Sequence, residues 1–214
     1  LPKALNLPAL YPIVDVEVAA RAGWAPLDLA RAYLAGGARL LQLRAKTLEG
    51  AAFLDLAHAV ISAAHAAGAR VIVNDRSDIA RLAGADGVHV GQDDLAPGDV
   101  RRLVGDDAIV GFSTHTPVQI EAALAEPISY LAIGPVFSTA TKATGYERVG
   151  YEAVRHAAAR AATARVPVVA IGGITLETAP RVIEAGAASL AVITDLVTAD
   201  PESRVRQYLA SLAL

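Results

Sequence analysis

Eight times along the chain a short run rich in β-branched residues or leucine gives way to a stretch with helical spacing, and this alternation restricts the fold more than any single motif does. The runs are LYPIVD (10 to 15), RLLQLR (39 to 44), RVIVN (70 to 74), GVHV (87 to 90), AIVGFS (108 to 113), SYLAIG (129 to 134), PVVAIGG (167 to 173) and SLAVIT (189 to 194). Between them lie helical stretches such as PLDLARAYLAGG, GAAFLDLAHAVISAAHAAG, VQIEAALAE and YEAVRHAAARAATA, several closed by glycine, a common helix stop. Strands that alternate with helices pair in parallel and carry the helices outside, and eight such units close a barrel. The expectation is therefore an α/β protein, a single-domain (β/α)8 TIM barrel over residues 1–214. A doubly wound open sheet is the competing arrangement. No G-x-G-x-x-G follows the first run, which weakens its dinucleotide-binding version.

Composition narrows the function. The chain is 54% hydrophobic and 19% charged, which suits one large core and no extended disordered tail. A formal net charge of -3 and an aromatic content of 5% supply neither the basic field nor the stacking platforms of a nucleic-acid binder. The lack of cysteine removes disulfides, thiolate metal sites and a cysteine nucleophile together. No apolar run reaches the roughly 18 residues of a membrane span, and the start, LPKALNLPALYPIVD, has neither the charged head nor the long apolar middle of a signal peptide. A cytoplasmic protein with small-molecule partners is expected, with no nucleic acid and no membrane; an oligomer is left open.

In such a barrel the chemistry sits where the strands end. In LLQLRAK, Leu41, Leu43 and Ala45 fall on one face of the second strand, and Gln42, Arg44 and Lys46 on the other. A parallel strand is normally apolar on both faces, so three polar residues in phase call for wet or charged company. The structural alternative puts Lys46 in the loop and pairs Arg44 with a neighbouring carboxylate. The third strand ends in Asn74 and Asp75, and the fourth runs into HVGQDD, with Asp93 and Asp94. Carboxylates at adjacent strand ends suit Mg²⁺, which takes one or two of them together with substrate phosphates. Alternatively, Asp75 or Ser77 caps the next helix and Asp94 holds a turn.

The fifth strand delivers Ser113, Thr114, His115 and Thr116, with no nucleophile elbow and no orienting acid, so His115 reads as a structural or helix-start residue. After the sixth strand comes VFSTATK, where Ser138, Thr139, Thr141 and Lys142 supply hydroxyl donors and an ammonium that could surround a polyanion. A plain surface loop is its structural alternative. The segment after it, with Gly145, fits a mobile lid as well as a linker. IGGIT and VIT follow the seventh and eighth strands, the usual phosphate site of these barrels. Gly172, Gly173, Ile193 and Thr194 could hold a phosphate through backbone N–H groups there. The inventory is two anion sites, a carboxylate pair and no evident nucleophile, which describes group transfer by positioning and electrostatics.

Seven motifs in order, QLRAK, VNDR, GADGVHVGQDDL, GFSTHT, GPVFSTATK, AIGGIT and AVITDL, resemble those of the thiamin phosphate synthase family over nearly the whole chain. The resemblance implies a TIM barrel that joins a hydroxymethylpyrimidine diphosphate to a thiazole phosphate with Mg²⁺, diphosphate leaving before the thiazole nitrogen attacks. It implies that Gln42, Arg44 and Lys46 contact the pyrimidine diphosphate, that Asn74 helps hold it, and that Asp75 and Asp94 ligate Mg²⁺. Ser113, Thr139, Thr141 and Lys142 would bind the diphosphate and thiazole side, with Ser113 and Lys142 as catalytic residues and Lys142 stabilising the leaving diphosphate, and Gly173, Ile193 and Thr194 the thiazole phosphate. Two positions depart from the pattern: residue 45 is Ala where many members carry Glu, and the first strand end reads LYPIVDVEVAARAGW where a form nearer LYLITD is expected. A related thiazole tautomerase branch is expected to lack the GQDD site and to place His where this chain has Pro135. A non-catalytic thiamin-phosphate-binding barrel is the remaining alternative.

Overall fold

Period-two alternation sends the side chains of each run to two faces, and in this molecule both faces are largely buried. The computed structural model describes residues 5–138 and 147–213. The runs become β1 (Leu10–Asp15), β2 (Leu40–Arg44), β3 (Arg70–Asn74), β4 (Gly87–Val90), β5 (Ile109–Thr114), β6 (Tyr130–Ile133), β7 (Val168–Ile171) and β8 (Ser189–Val192). They pair in parallel in chain order, and Leu190 of β8 returns to Leu10 of β1, so the sheet is a closed barrel and the open doubly wound arrangement is excluded. One set of residues, including Ile13, Leu40, Ile72, Ile109 and Val169, fills the barrel. The alternate set, including Val14, Leu41, Leu43, Val71 and Val73, packs with helix residues such as Leu29, Tyr33 and Phe53.

The helices are α1 (Val16–Arg21), α2 (Pro26–Ala35), α3 (Gly50–Ala66), α4 (Ser77–Ala83), α5 (Pro97–Val104), α6 (Pro117–Leu124), α7 (Gly150–Ala164), α8 (Ala179–Glu184) and α9 (Pro201–Leu212), with a 3-10 turn over Thr194–Leu196. Their starts are chemically marked. Asp15, Thr116 and Asp200 accept backbone N–H groups at the starts of α1, α6 and α9, and proline occupies the first turn of α2, α5 and α6. Two of the differences from the sequence reading bear on the site. The extra helix α1 was not anticipated, because six residues carry too little periodicity to register. The seventh strand stops at Ile171, since Gly172 and Gly173 turn away with φ of 102° and 62°.

Gly111 is required by a close approach: a Cβ there would overlap the Tyr130 ring, which lies across the barrel interior. Among the described residues, no helix is long and apolar enough to cross a membrane.

Candidate active site

The C-terminal ends of the strands open into a cavity of about 930 Å³. Inner-face positions of the strands bring Gln42, Arg44, Asn74 and Ser113 to its wall, and the turns after β3, β7 and β8 bring Asp75, Gly173, Ile193 and Thr194. The alternation read from LLQLRAK is seen here: Gln42 is buried on the inner face, while Leu41, Leu43 and Ala45 pack outward against the helices. Lys46 and Asp94 sit beside this wall rather than in it. Thr139, Thr141, Lys142 and the proposed lid at Gly145 lie outside the described residues.

Arg44 pairs with Asp15, a carboxylate on the neighbouring strand β1, as the structural alternative required. The Asp15 side chain is 1% exposed and also accepts Val18 N–H at 2.9 Å, so it is a fixed anchor rather than a mobile counter-ion. Only Nη1 of the guanidinium is bonded to it. The pair thus aims Arg44 and leaves it further N–H donors, which a planar fork can present to an anion. Lys46 lies in the loop after β2, where Glu17 of α1 accepts its backbone N–H, that of Thr47 and the Thr47 hydroxyl, each at 2.9 Å. Burial acts to raise the Glu17 carboxyl, but these hydrogen bonds, the Thr47 hydroxyl first, outweigh it and hold the group below its usual range. A tightly accepting Glu17 therefore staples the β2 loop to α1.

The Lys46 ammonium pairs with Asp75. Asp75 has φ of 63°, uncommon for a non-glycine residue, and its N–H donates to the His89 carbonyl at 2.7 Å. It does not cap α4, whose preceding residue is Arg76 and which has no side-chain cap. Asp94 does hold a turn, accepting Gly91 N–H at 2.8 Å, and its carboxyl lies close enough to act on that of Asp75. Burial raises the Asp75 carboxyl above its usual range, Lys46 pulls it down, and Asp94 pushes it up again. The Lys46 ammonium thus offsets the repulsion that Asp94 exerts on the Asp75 carboxyl. Among the described residues there is no group of three or more His, Cys, Asp or Glu that could hold a metal. Two hard oxygen donors at the mouth, Asp75 on the cavity wall and Asp94 beside it, fit Mg²⁺, which completes its shell with water and substrate oxygens, better than zinc, which asks for a fuller set of protein ligands.

On the far side of the ring, Gly173 closes the turn after β7. A Cβ there would stand 2.5 Å from the Ser138 carbonyl oxygen, so the backbone is bare by necessity. Asp195 braces both loops, accepting Leu176 N–H at 3.1 Å, Arg204 Nη2 at 2.8 Å and the Tyr208 hydroxyl at 2.6 Å. His115 also lines the cavity; its Nδ1 lies 2.5 Å from the Gly134 carbonyl and its N–H donates to Gln119.

Sequence reasoning missed Asp15 and Glu17, Arg21 from α1 at the cavity wall, and Tyr11, His89 and Tyr130 on its floor. Their signal was available: each of the floor residues stands in phase with the inner face of its strand.

A closed eight-stranded barrel whose mouth gathers cations, adjacent carboxylates and glycine turns defines a (β/α)8 enzyme that handles phosphorylated small molecules. The chain belongs to the thiamine monophosphate synthase family, whose model matches residues 10–196. It is 43% identical over 216 residues to the thiamine-phosphate synthase of Koribacter versatilis (strain Ellin345), covering 97% of each chain. It is also 43% identical to that of Chlorobium luteolum (strain DSM 273 / BCRC 81028 / 2530), covering 86% of each. Among solved structures, the thiamine phosphate pyrophosphorylase from Pyrococcus furiosus superposes with a TM-score of 0.84 at 25% identity, covering 95% of this chain and 94% of that one.

Proposed function

We propose that the protein is a thiamin phosphate synthase that couples 4-amino-2-methyl-5-hydroxymethylpyrimidine diphosphate to 4-methyl-5-(2-phosphoethyl)thiazole, giving thiamin phosphate and diphosphate. The observation that carries this reading is the adjacency of Asp75 and Asp94 beside Lys46 and Arg44 at one side of a mouth whose other side is the Gly173 turn. One side suits a diphosphate with its cation, the other a monophosphate.

In this scheme Asp75 and Asp94 hold Mg²⁺, which when bound neutralises charge on the diphosphate. Arg44, Lys46, Ser113 and Lys142 donate to the diphosphate oxygens. The charge that grows as the C–O bond breaks is met by groups already in place. Gln42 and Asn74 orient the pyrimidine, and Thr139 and Thr141, outside the described residues, are assigned to the thiazole substrate by the family resemblance. Gly173, Ile193 and Thr194 present the thiazole phosphate so that its ring nitrogen faces the pyrimidinyl methylene and closes the C–N bond once diphosphate has departed. Positioning of this kind asks for no protein nucleophile. The reading includes small-molecule substrates as partners and a cytoplasmic setting.

The test is product formation from the two substrates with and without Mg²⁺, with Asp94→Ala assayed in parallel. Mg²⁺-dependent thiamin phosphate lost in the variant supports the assignment. Unchanged turnover of Asp94→Ala at limiting Mg²⁺ would sink the metal site.

A further inference from the structure

Below the mouth, five side chains from five strands form one unbroken file. Gln42 Nε2 donates to the Tyr11 hydroxyl at 3.1 Å, and that hydroxyl lies 3.2 Å from the Tyr130 hydroxyl. The Tyr130 hydroxyl is 2.9 Å from His89 Nδ1, and His89 Nε2 is 2.8 Å from Ser113 Oγ. The Tyr130 and His89 rings stack at 5.6 Å with 15° between their planes, in the space left by Gly111. Burial pushes both tyrosine hydroxyls above their usual range, so each keeps its proton.

Each tyrosine hydroxyl and a neutral imidazole can pass on one hydrogen bond and receive one along such a file, which therefore runs in one of two directions. Gln42 sets it. With Nε2 turned to Tyr11, the Tyr11 proton goes to Tyr130, the Tyr130 proton goes to Nδ1, and the imidazole carries its own proton on Nε2. Ser113 then accepts from below and keeps its O–H for the cavity. In the opposite sense Ser113 would use that proton on His89 and offer an anion above it only lone pairs.

We propose that Gln42, Tyr11, Tyr130 and His89 are positioning residues that fix the Ser113 hydroxyl as a donor to the anion held at the mouth. The identity of that anion as the departing diphosphate rests on the function proposed above; the direction of the file does not.

Nitrogen-15 NMR of the imidazoles, with His89 assigned by the signals lost in His89→Gln, reads the direction without any substrate. The expected result is one neutral tautomer protonated at Nε2 in the unaltered protein, giving way to a mixture of tautomers in Tyr11→Phe, which keeps the ring and removes the link. In turnover, Tyr11→Phe should lower kcat about tenfold, the scale of one hydrogen bond to a charged group, with KM for the thiazole phosphate unchanged. It should cost nothing further when added to Ser113→Ala. His89 protonated at Nδ1, or at both nitrogens, would overturn the proposal, as would an equal tenfold loss from Tyr11→Phe in the Ser113→Ala background. Absent turnover in the unaltered protein would defeat the function and leave the tautomer to judge the file.

Discussion

Asp94 sits on a turn at the mouth, and the one hydrogen bond it accepts from Gly91 is exposed. Its removal should therefore separate chemistry from stability: Asp94→Ala is expected to abolish Mg²⁺-dependent turnover while shifting unfolding free energy by no more than about 1 kcal/mol, read by urea unfolding beside the assay. Lys142→Ala should reduce kcat by about 10² if the ammonium meets the leaving diphosphate; an undiminished kcat would demote VFSTATK to a connecting loop. At this scale, Gln42, Asn74 and Ser113 were legible because polar residues in phase on a parallel strand are hard to explain otherwise. Tyr11 and Tyr130 were not, since a strand tyrosine reads as core until its hydroxyl is seen to have a partner. That Arg44 pairs with a carboxylate was legible as an alternative, but that the carboxylate is Asp15 was hidden, because the partners stand 29 residues apart in the chain and meet only when β1 and β2 align.

Elements at the two ends of the barrel carry different burdens. At the bottom, Arg101 of α5 bonds to the carbonyls of Asp106 at 3.1 Å and Pro127 at 3.0 Å and to Ser129 Oγ at 3.1 Å, tying the entries to β5 and β6 together. Arg101→Ala should lower stability by about 2 kcal/mol, visible in chemical unfolding, with kcat/KM unaltered. At the top, Gly173→Ala places a Cβ against the Ser138 carbonyl in a left-handed turn, and KM for the thiazole phosphate should rise at least about tenfold, measured by steady-state kinetics. Strands and long helices were readable because their periodicity is repeated. The six-residue α1 was not, although it supplies Glu17 and Arg21 to the mouth. The first strand end, where the sequence departs from its family's pattern, is thus the stretch whose contribution had to be seen to be known.

Closure joins these parts into one device. Eight strands in a ring set β3 and β7 on opposite sides, so the carboxylate pair and the glycine turn face each other across the cavity, and no single segment of the chain holds both. The repeat made the ring legible, while the depth of the cavity and the polar floor beneath it follow from how inner-face residues from different strands meet. The most direct test of the account is to mix the protein with both substrates and follow diphosphate release and thiamin phosphate formation in one reaction, with and without Mg²⁺. The account predicts that both products appear together, in equal amounts and only with the cation. Tight binding of either substrate with neither product formed would contradict it and leave a barrel that binds these ligands without joining them.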